Sequence, residues 1–356
     1  MADFPTSADQ VTAEHINAYL DAAGCLGGAR VTDVESTIIG TGKMGDNARL
    51  VLHYEGATNS APDSLIGKFP ASDETARSIA GAQGAYYNEV MFYREIAPHT
   101  TMQVPRIYGS ELSEDRMDFI LLMEDMAPAE PGNNLVGASR EQAELALAEA
   151  AKLAAAFYGD ETLGERDYVL TATRDDGGEF GAALMQQSWP GFVDRFGHGM
   201  TPEMIRFGER YVEHHAHFAT RFQGKKTIAH GDFRSENILF GPQGATVVDW
   251  QTTNESSALT DAAYYLGGSV AVEDRRAWER DLIEHYRVIL DRAGVSLESK
   301  DCWEQYREFA MHGILITVLG ASFSTPDERS DKMFLSMVQG HLQHCIDVGA
   351  EEFLPA

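Results

Sequence analysis

Cysteine is scarce in this chain: Cys25, Cys302 and Cys345 are the only three, widely spaced and odd in number. That excludes a disulfide framework and offers no metal-ligand spacing, so a reducing, cytoplasmic setting is expected. Basic residues are also few, with 28 Lys and Arg against 55 Asp and Glu and a net charge of -27. A surface this acidic repels nucleic acid and anionic membranes, which excludes both as main partners. Long apolar runs are missing too. The most apolar stretch, Gly313 to Phe323, falls far short of the roughly 20 residues a membrane span needs and reads as a buried helix. The opening MADFPTSADQ has no basic region ahead of an apolar run, so no signal peptide is expected. There is no internal repeat and no low-complexity tract. What is present is an ordinary globular balance, 44% apolar and 23% charged, over 356 residues. That length is comfortable for two lobes rather than one compact domain.

The first 126 residues read as an α+β lobe. Thr12 caps a short helix running to Gly24, and strand-like runs follow at Thr32–Ile39, Ala48–Tyr54 and Leu65–Phe69. A helix is expected over Ala76–Ile96 and a strand over Phe119–Met123. Ala127–Asn134, rich in Pro, Gly and Asn, reads as a connector. From residue 127 to 356 the pattern turns mainly helical. Ser139 and Gln142 make a capping box ahead of Ala146, Ala150, Leu153 and Phe157 at helical spacing. Leu282, Tyr286, Ile289 and Leu290 mark a helix ending at Gly294, and long helices are expected over Trp303–Leu319 and Lys332–Val348. A short β region, Thr227–His230, Ile238–Phe240 and Ala245–Asp249, is inset among them.

That β region carries the chemistry, in IAHGDFRSENILFGPQGATVVDWQ. Asp232 and Asn237 stand five apart, the offset of a kinase catalytic loop in which the carboxylate takes the acceptor proton and the amide holds a metal. Asp249 follows after a turn through Gly241–Gly244, so a hairpin can return it towards Asn237. The pair would then offer two hard oxygen ligands suited to Mg²⁺. Arg234 is placed to reach a transferring phosphate. His230 is read as a structural hydrogen-bonding residue. Singly, these residues are also turn and cap residues; together, flanked by apolar strands, they point to phosphoryl transfer.

His230-Gly231-Asp232 with Asn237, then Val248-Asp249-Trp250-Gln251, resembles the aminoglycoside phosphotransferase and choline kinase group. Within it the ecdysteroid-kinase-like branch and its bacterial relatives are most similar. Leu122-Met123-Glu124-Asp125, Asp261-Ala262-Ala263-Tyr264-Tyr265-Leu266 and the run from Trp303 through Phe334 extend the resemblance over roughly residues 30–345. It implies a bilobal protein-kinase-like α+β fold, with a strand-rich N-terminal nucleotide-binding lobe and a larger, mainly helical C-terminal lobe. It also implies ATP as phosphoryl donor, with GTP an open alternative, and Mg²⁺. A phosphate clamp is implied upstream, and Gly40, Gly42 and Gly45 supply a GxGxxG between two strand-like runs. The following strand argues against a dinucleotide fold, which would want a helix there. By kinase analogy Lys68 holds phosphates while Glu89 orients it. Glu95 is the rival partner but lies on another helix face. Main-chain groups from Met123 to Met126, around Glu124 and Met126, would meet the adenine edge. Asp261 would brace the catalytic loop.

Only eleven residues separate Asp249 from Asp261 and no A-P-E motif follows, which argues against a protein kinase with a peptide platform. Lys68, Glu89, Asp232, Asn237 and Asp249 are all present, which argues against a nucleotide-binding pseudokinase. The expected acceptor is a small hydroxylated molecule, with an aminoglycoside as one alternative and a less polar alcohol favoured by the branch resembled. Trp189, Phe192, Phe196, Trp250, Tyr264, Tyr265, Trp303 and Met311 are candidate wall residues, though side chains of this kind are more often core than pocket. Oligomeric state is not legible.

Overall fold

In the computed structural model, residues 3–40, 44–58, 60–171 and 178–356 are described. They form two compact units: Met1–His99, Val104–Pro128 and Asp249–Gln251 in the first, Thr100–Gln103, Ala129–Val248 and Thr252–Ala356 in the second. The chain therefore passes between units more often than the single crossing of a simple two-lobe plan. Among the described residues no helix is long and apolar enough to cross a membrane.

The first unit is built on α1 (Ala13–Ala22), β1 (Arg30–Ile39), β2 (Gly45–Glu55), β3 (Ser64–Pro70), α2 (Glu74–Ala82), α3 (Ala85–Met91), β4 (Ile107–Leu112) and β5 (Phe119–Glu124). The sheet is antiparallel throughout, in the order β1-β2-β3-β5-β4. Thr12 and His15 form the capping box that starts α1. Ile16 and Leu20 of that helix pack with Leu50, Leu65, Phe69, Ile120 and Leu122 in one buried cluster. Strand alternation follows from this. Leu65 and Phe69 of β3 belong to the α1 cluster, so Lys68, one residue before Phe69, points to the opposite face of the sheet.

The single helix expected over Ala76–Ile96 is two. Gly84 adopts φ +74, a left-handed conformation that ends α2 and caps α3, and a wider π turn then continues over Phe92–Ile96. The strand β4 carries no continuous apolar signal and escapes the sequence reading.

The second unit comprises β6 (Glu130–Pro131), α4 (Arg140–Phe157), α5 (Glu179–Phe196), α6 (Pro202–Glu213), α7 (His215–Arg221), β7 (Thr227–Ala229), β8 (Ile238–Gly241), β9 (Gly244–Val247), β10 (Asn254–Ser256), α8 (Thr260–Ser269), α9 (Val272–Arg292), α10 (Ser299–Phe309), α11 (His312–Phe323) and α12 (Glu328–Asp347). The capping box of α4 forms as expected, Ser139 Oγ accepting from the Gln142 N–H and Gln142 Oε1 from the Ser139 N–H. Part of the expected connector is strand, because β6 pairs with β8. The hairpin β8–β9 forms, whereas β7 pairs instead with β10.

The single helix expected over Trp303–Leu319 breaks between α10 and α11. The Met311 N–H bonds Glu308 O, a tightened turn that re-aims the chain at His312. Deeper in the unit, Arg275 is fully buried and held by Glu279 and Asp347, and Arg276 also binds Asp347 at 2.7 and 2.8 Å. Such a network is costly to break from one side, by about 3–5 kcal/mol.

Of the buried histidines of this unit, His215, His341 and His344 are held neutral by burial. Burial lowers His215 to about 4 and His341 to about 3, and drives His344 well down. In the unfolded chain each titrates near 6.5. Below that value the unfolded state takes up protons that the folded state refuses, so stability falls as pH drops. We expect the urea midpoint to decline from pH 7 to pH 5, with a limiting slope of about 1.4 kcal/mol per pH unit for each such site. His215→Gln should flatten that decline, and a midpoint independent of pH over this range would contradict the assignment.

Candidate active site

In the first unit a buried charge cluster forms around Lys68. Its Nζ lies 2.7 Å from Glu89 Oε2 and 2.8 Å from both Glu89 Oε1 and Asp249 Oδ1. Glu89 comes from α3 and is 1% exposed, whereas the Asp249 side chain is 38% exposed. Burial works against the Lys68 ammonium, but Asp249 and Glu89 outweigh it and hold its pKa above the lysine value. Burial raises the Glu89 pKa, with Lys68 opposing the rise and Asp249 adding to it. Removing Lys68 would strand Glu89 as an uncompensated buried charge, at a cost of about 3–5 kcal/mol. Glu95, the rival candidate, is exposed.

Asp249 is held by its neighbours. Trp250 is fully buried and stacks on Phe92 with ring centroids 3.6 Å apart and planes 4° apart. Gln251 Nε2 donates to Glu89 Oε2 at 3.3 Å, and Asn88 Nδ2 donates to Gln251 O at 3.3 Å. Between these anchors Asp249 adopts φ +70, unusual for a residue with a side chain and common where geometry serves a site.

Gly40 has φ +71 and Gly45 opens β2 opposite Pro70; Gly42, between them, lies outside the described residues. At the end of β5 the Glu124 N–H donates to Arg106 O, and Glu124 Oε2 accepts from the Arg106 N–H, while Met126 is half-buried. Asp125, which sequence reading passed over, fixes this segment. It accepts from Arg49 at 2.7 and 3.1 Å, from Ser64 Oγ at 2.7 Å and from the Ala127 N–H at 3.2 Å. Burial alone would raise its pKa, and these donors reverse that and hold it below the usual carboxylate range.

The second unit carries the loop from His230 to Asn237. Asp261, near the start of α8, accepts from the His230 N–H at 2.8 Å and the Gly231 N–H at 3.1 Å. Gly231 has φ +87, and a Cβ there would meet Asn254 Nδ2 at 2.3 Å and Thr252 O at 2.5 Å, so a larger residue does not fit. His230 bridges two strands of main chain: Nε2 donates to Val248 O at 3.0 Å, and Nδ1 accepts from the Asp232 N–H at 3.2 Å. That pattern is a neutral ring with its proton on Nε2. His312, at the start of α11, donates from Nε2 to Gly231 O at 2.7 Å. Burial lowers the His312 pKa, against the pull of that bond and of Asp261 and Asp232.

So held, the Asp232 carboxylate is 22% exposed and accepts from three donors. Tyr264 Oη donates to Oδ1 at 2.6 Å. Asn237 Nδ2 and Arg234 Nε donate to Oδ2 at 3.1 and 3.2 Å. Asn237 also donates to Asp232 O at 2.9 Å, and Val248 N–H closes on Asn237 O at 3.0 Å. Arg234 is not a free guanidinium. Its Nη1 binds Glu236 at 2.5 Å and contacts the Met333 sulfur at 3.1 Å, and Arg329 binds Glu236 from the other side at 3.1 Å.

Lys68, Glu89 and Asp249 are thus brought together in one unit, and Asp232, Arg234 and Asn237 in the other. Most candidate wall residues are core instead. Trp250 belongs to the Phe92 stack, Phe192 stacks on Trp189 and meets Phe196 at a tilt, and Tyr265 and Met311 are fully buried. Trp303 lies under the Arg280 guanidinium at 3.4 Å. Of the eight, Tyr264 donates to the Asp232 carboxylate. Sequence reading missed its role and those of His312 and Glu236. The spacing of Asp261 and Tyr264, three apart and so on one helix face, was the available signal.

A strand-rich unit with a buried Lys–Glu pair, and a helical unit with this braced loop, define a protein-kinase-like fold. Known structures share it. APH(2'')-IIa in its gentamicin complex aligns over 100% of both chains at 16% identity and a TM-score of 0.51. Choline kinase from Cryptosporidium parvum aligns over 90% of this chain and 92% of its own, at 11% identity and 0.54. The GDP complex of aminoglycoside 2'-phosphotransferase-IIIa aligns over 91% and 98%, at 13% and 0.53. No curated protein matches the chain significantly. The profile of the ecdysteroid kinase-like family matches residues 44–297, well over half the length, and the chain belongs to that family. Family and fold together indicate a small-molecule kinase.

The Asp261 brace is directly testable. Asp261→Ala leaves two buried N–H groups without their acceptor, at about 1–3 kcal/mol each. We expect chemical denaturation to show a loss of that order, and an unchanged midpoint would remove Asp261 from the role.

Proposed function

We propose that the protein transfers the γ-phosphoryl group of ATP, with Mg²⁺, to a hydroxyl of a small organic acceptor, Asp232 acting as general base. The observation that carries this reading is the Asp232 carboxylate. It is held by three hydrogen bonds on a braced loop while part of it stays open to solvent. A base for proton transfer needs both orientation and access.

The residues present fit Mg²⁺. Asp249 and Asn237 offer hard oxygen atoms, and because Asn237 Nδ2 is committed to Asp232, its Oδ1 is the atom left for a cation. Lys68 is engaged by both Glu89 and Asp249. Bound there, Mg²⁺ supplies charge neutralisation for the phosphates. Lys68 would hold the donor's phosphates and Glu89 would orient it. Gly40, Gly42 and Gly45 would cover the phosphates, and the main chain at Glu124 and Met126 would meet the base. The same groups serve GTP. In this reading residues 1–126 are the nucleotide-binding lobe and 127–356 the catalytic and acceptor-binding lobe. Cys25, Cys302 and Cys345 are all free and buried, in keeping with a cytoplasmic protein.

Arg234 would meet the transferring phosphate while its Nε and Nη1 are engaged by Asp232 and Glu236. The acceptor we favour is an alcohol of low polarity. Glu236, the carboxylate tied into this cluster, is already matched by Arg234 and Arg329, whereas a polycationic aminoglycoside needs uncommitted carboxylates. An ATP-consumption screen against diverse hydroxyl compounds, with aminoglycosides included, decides between them.

Asp232→Asn should lower turnover by about 10²–10⁴-fold while leaving MgATP affinity nearly intact; surviving turnover would show that the base is elsewhere. Asp249→Asn tolerates the positive φ yet weakens the metal ligand, so Mg²⁺-dependent tightening of ATP binding should be lost in calorimetry. Equal ATP affinity with and without Mg²⁺ in the wild type would remove the ligand role. A melting shift with MgATP but no consumption with any acceptor would favour a nucleotide-binding pseudokinase.

A further inference from the structure

We propose that Tyr264 is a positioning residue for phosphoryl transfer, its hydroxyl holding Asp232 so that Oδ1 receives the acceptor proton. The proposal rests on the reading of Asp232 as base. A carboxylate offers about four lone-pair sites. Oδ2 already accepts two donors, Asn237 Nδ2 at 3.1 Å and Arg234 Nε at 3.2 Å. Oδ1 accepts one, the Tyr264 hydroxyl at 2.6 Å, and keeps a lone pair for an incoming hydroxyl. The base oxygen is therefore the one Tyr264 holds.

The tyrosine is itself immobilised. It is 1% exposed, with its ring nearly parallel to His341 at 4.9 Å and edge-on to His312 at 5.6 Å. Burial also pushes its pKa well up, so it stays a donor. The His341 ring lies against three glycines. A Cβ at Gly267, Gly268 or Gly313 would come within 2.8, 2.4 or 2.0 Å of it. Neither His341 nitrogen has a hydrogen-bond partner among the described residues. The ring thus serves as a flat, uncharged plate behind Tyr264. One helix, α8, sends Asp261 to the loop backbone and, one turn on, Tyr264 to the loop carboxylate.

In the step itself the acceptor O–H gives its proton to Asp232 Oδ1. The acceptor oxygen forms a bond to the γ-phosphorus as the bond from that phosphorus to the bridging oxygen breaks. The electron pair leaves on the nucleoside diphosphate.

Tyr264→Phe keeps the ring plate and removes only the hydroxyl. The probe is slow hydrolysis of MgATP, in which water stands in for the unidentified alcohol. We expect kcat to fall about 10–100-fold, the order of loss for a misplaced reacting group, with the KM for MgATP and the melting midpoint unchanged. In an Asp232→Asn background Tyr264→Phe should have no further effect, since both act through one proton transfer. If Asp232→Asn is inactive while Tyr264→Phe keeps the wild-type kcat, the positioning role falls and the base reading stands. Equal further losses in both backgrounds would likewise overturn the positioning role. If Asp232→Asn still hydrolyses at the wild-type rate, the base reading falls and takes this proposal with it.

Discussion

The second unit depends on one buried carboxylate. Asp261 gives its two oxygens to the successive N–H groups of His230 and Gly231, and without it both donors are orphaned in the interior. Burial pushes the Asp261 pKa up, and the two N–H bonds pull against that push. Fixing two consecutive N–H groups fixes the peptide plane between them, and Gly231 then turns the chain at a φ that a side chain would not tolerate. His312 takes the carbonyl of Gly231, and His230 takes the N–H of Asp232. The main chain ahead of Asp232 is thus held from both its donor and its acceptor side. A carboxylate on a loop has been given the rigidity of one on a strand.

The first unit solves the converse problem, a lone cation on a buried strand. Strand parity sends Lys68 away from the α1 cluster, and α3 answers with Glu89. The break at Gly84 has a part in this, because it starts α3 afresh and lets its face be set independently of α2. Trp250 and Gln251 then clamp the residue before them, so that Asp249 reaches the same ammonium. In both units a helix delivers an acid to a segment that could not otherwise afford its buried polar groups.

Much of this was legible in the sequence because the signals are local. Thr12, Ser139 and Gln142 announce helix starts through bonds spanning three residues, and the structure has them. Lys68 within an apolar strand demands a partner, and Glu89 meets that demand at 2.7 Å. What escaped was set by packing. The α10–α11 break carries no proline to announce it. The pairing of β7 with β10 links segments whose own patterns are too short to declare a partner. Most of the aromatic residues read as walls turned out to be core, since an aromatic side chain has the same letter in either place. Tyr264 is the instructive case, because it was noticed for its ring and matters for its hydroxyl.

Charge ties the two clusters to the chain as a whole. With a net charge of -27, the protein must meet a proposed polyanionic donor using very few cations. Among the described residues, Lys68 is engaged with two carboxylates and Arg234 with Asp232 and Glu236. A cation so matched has little net attraction left for a phosphate, and like charges brought close repel by on the order of 4 kcal/mol at about 4 Å near a protein surface. In the proposed reaction a divalent cation is therefore a condition of donor binding and not an accessory to it. With phosphate charge so neutralised, the donor could approach the carboxylates that hold Lys68.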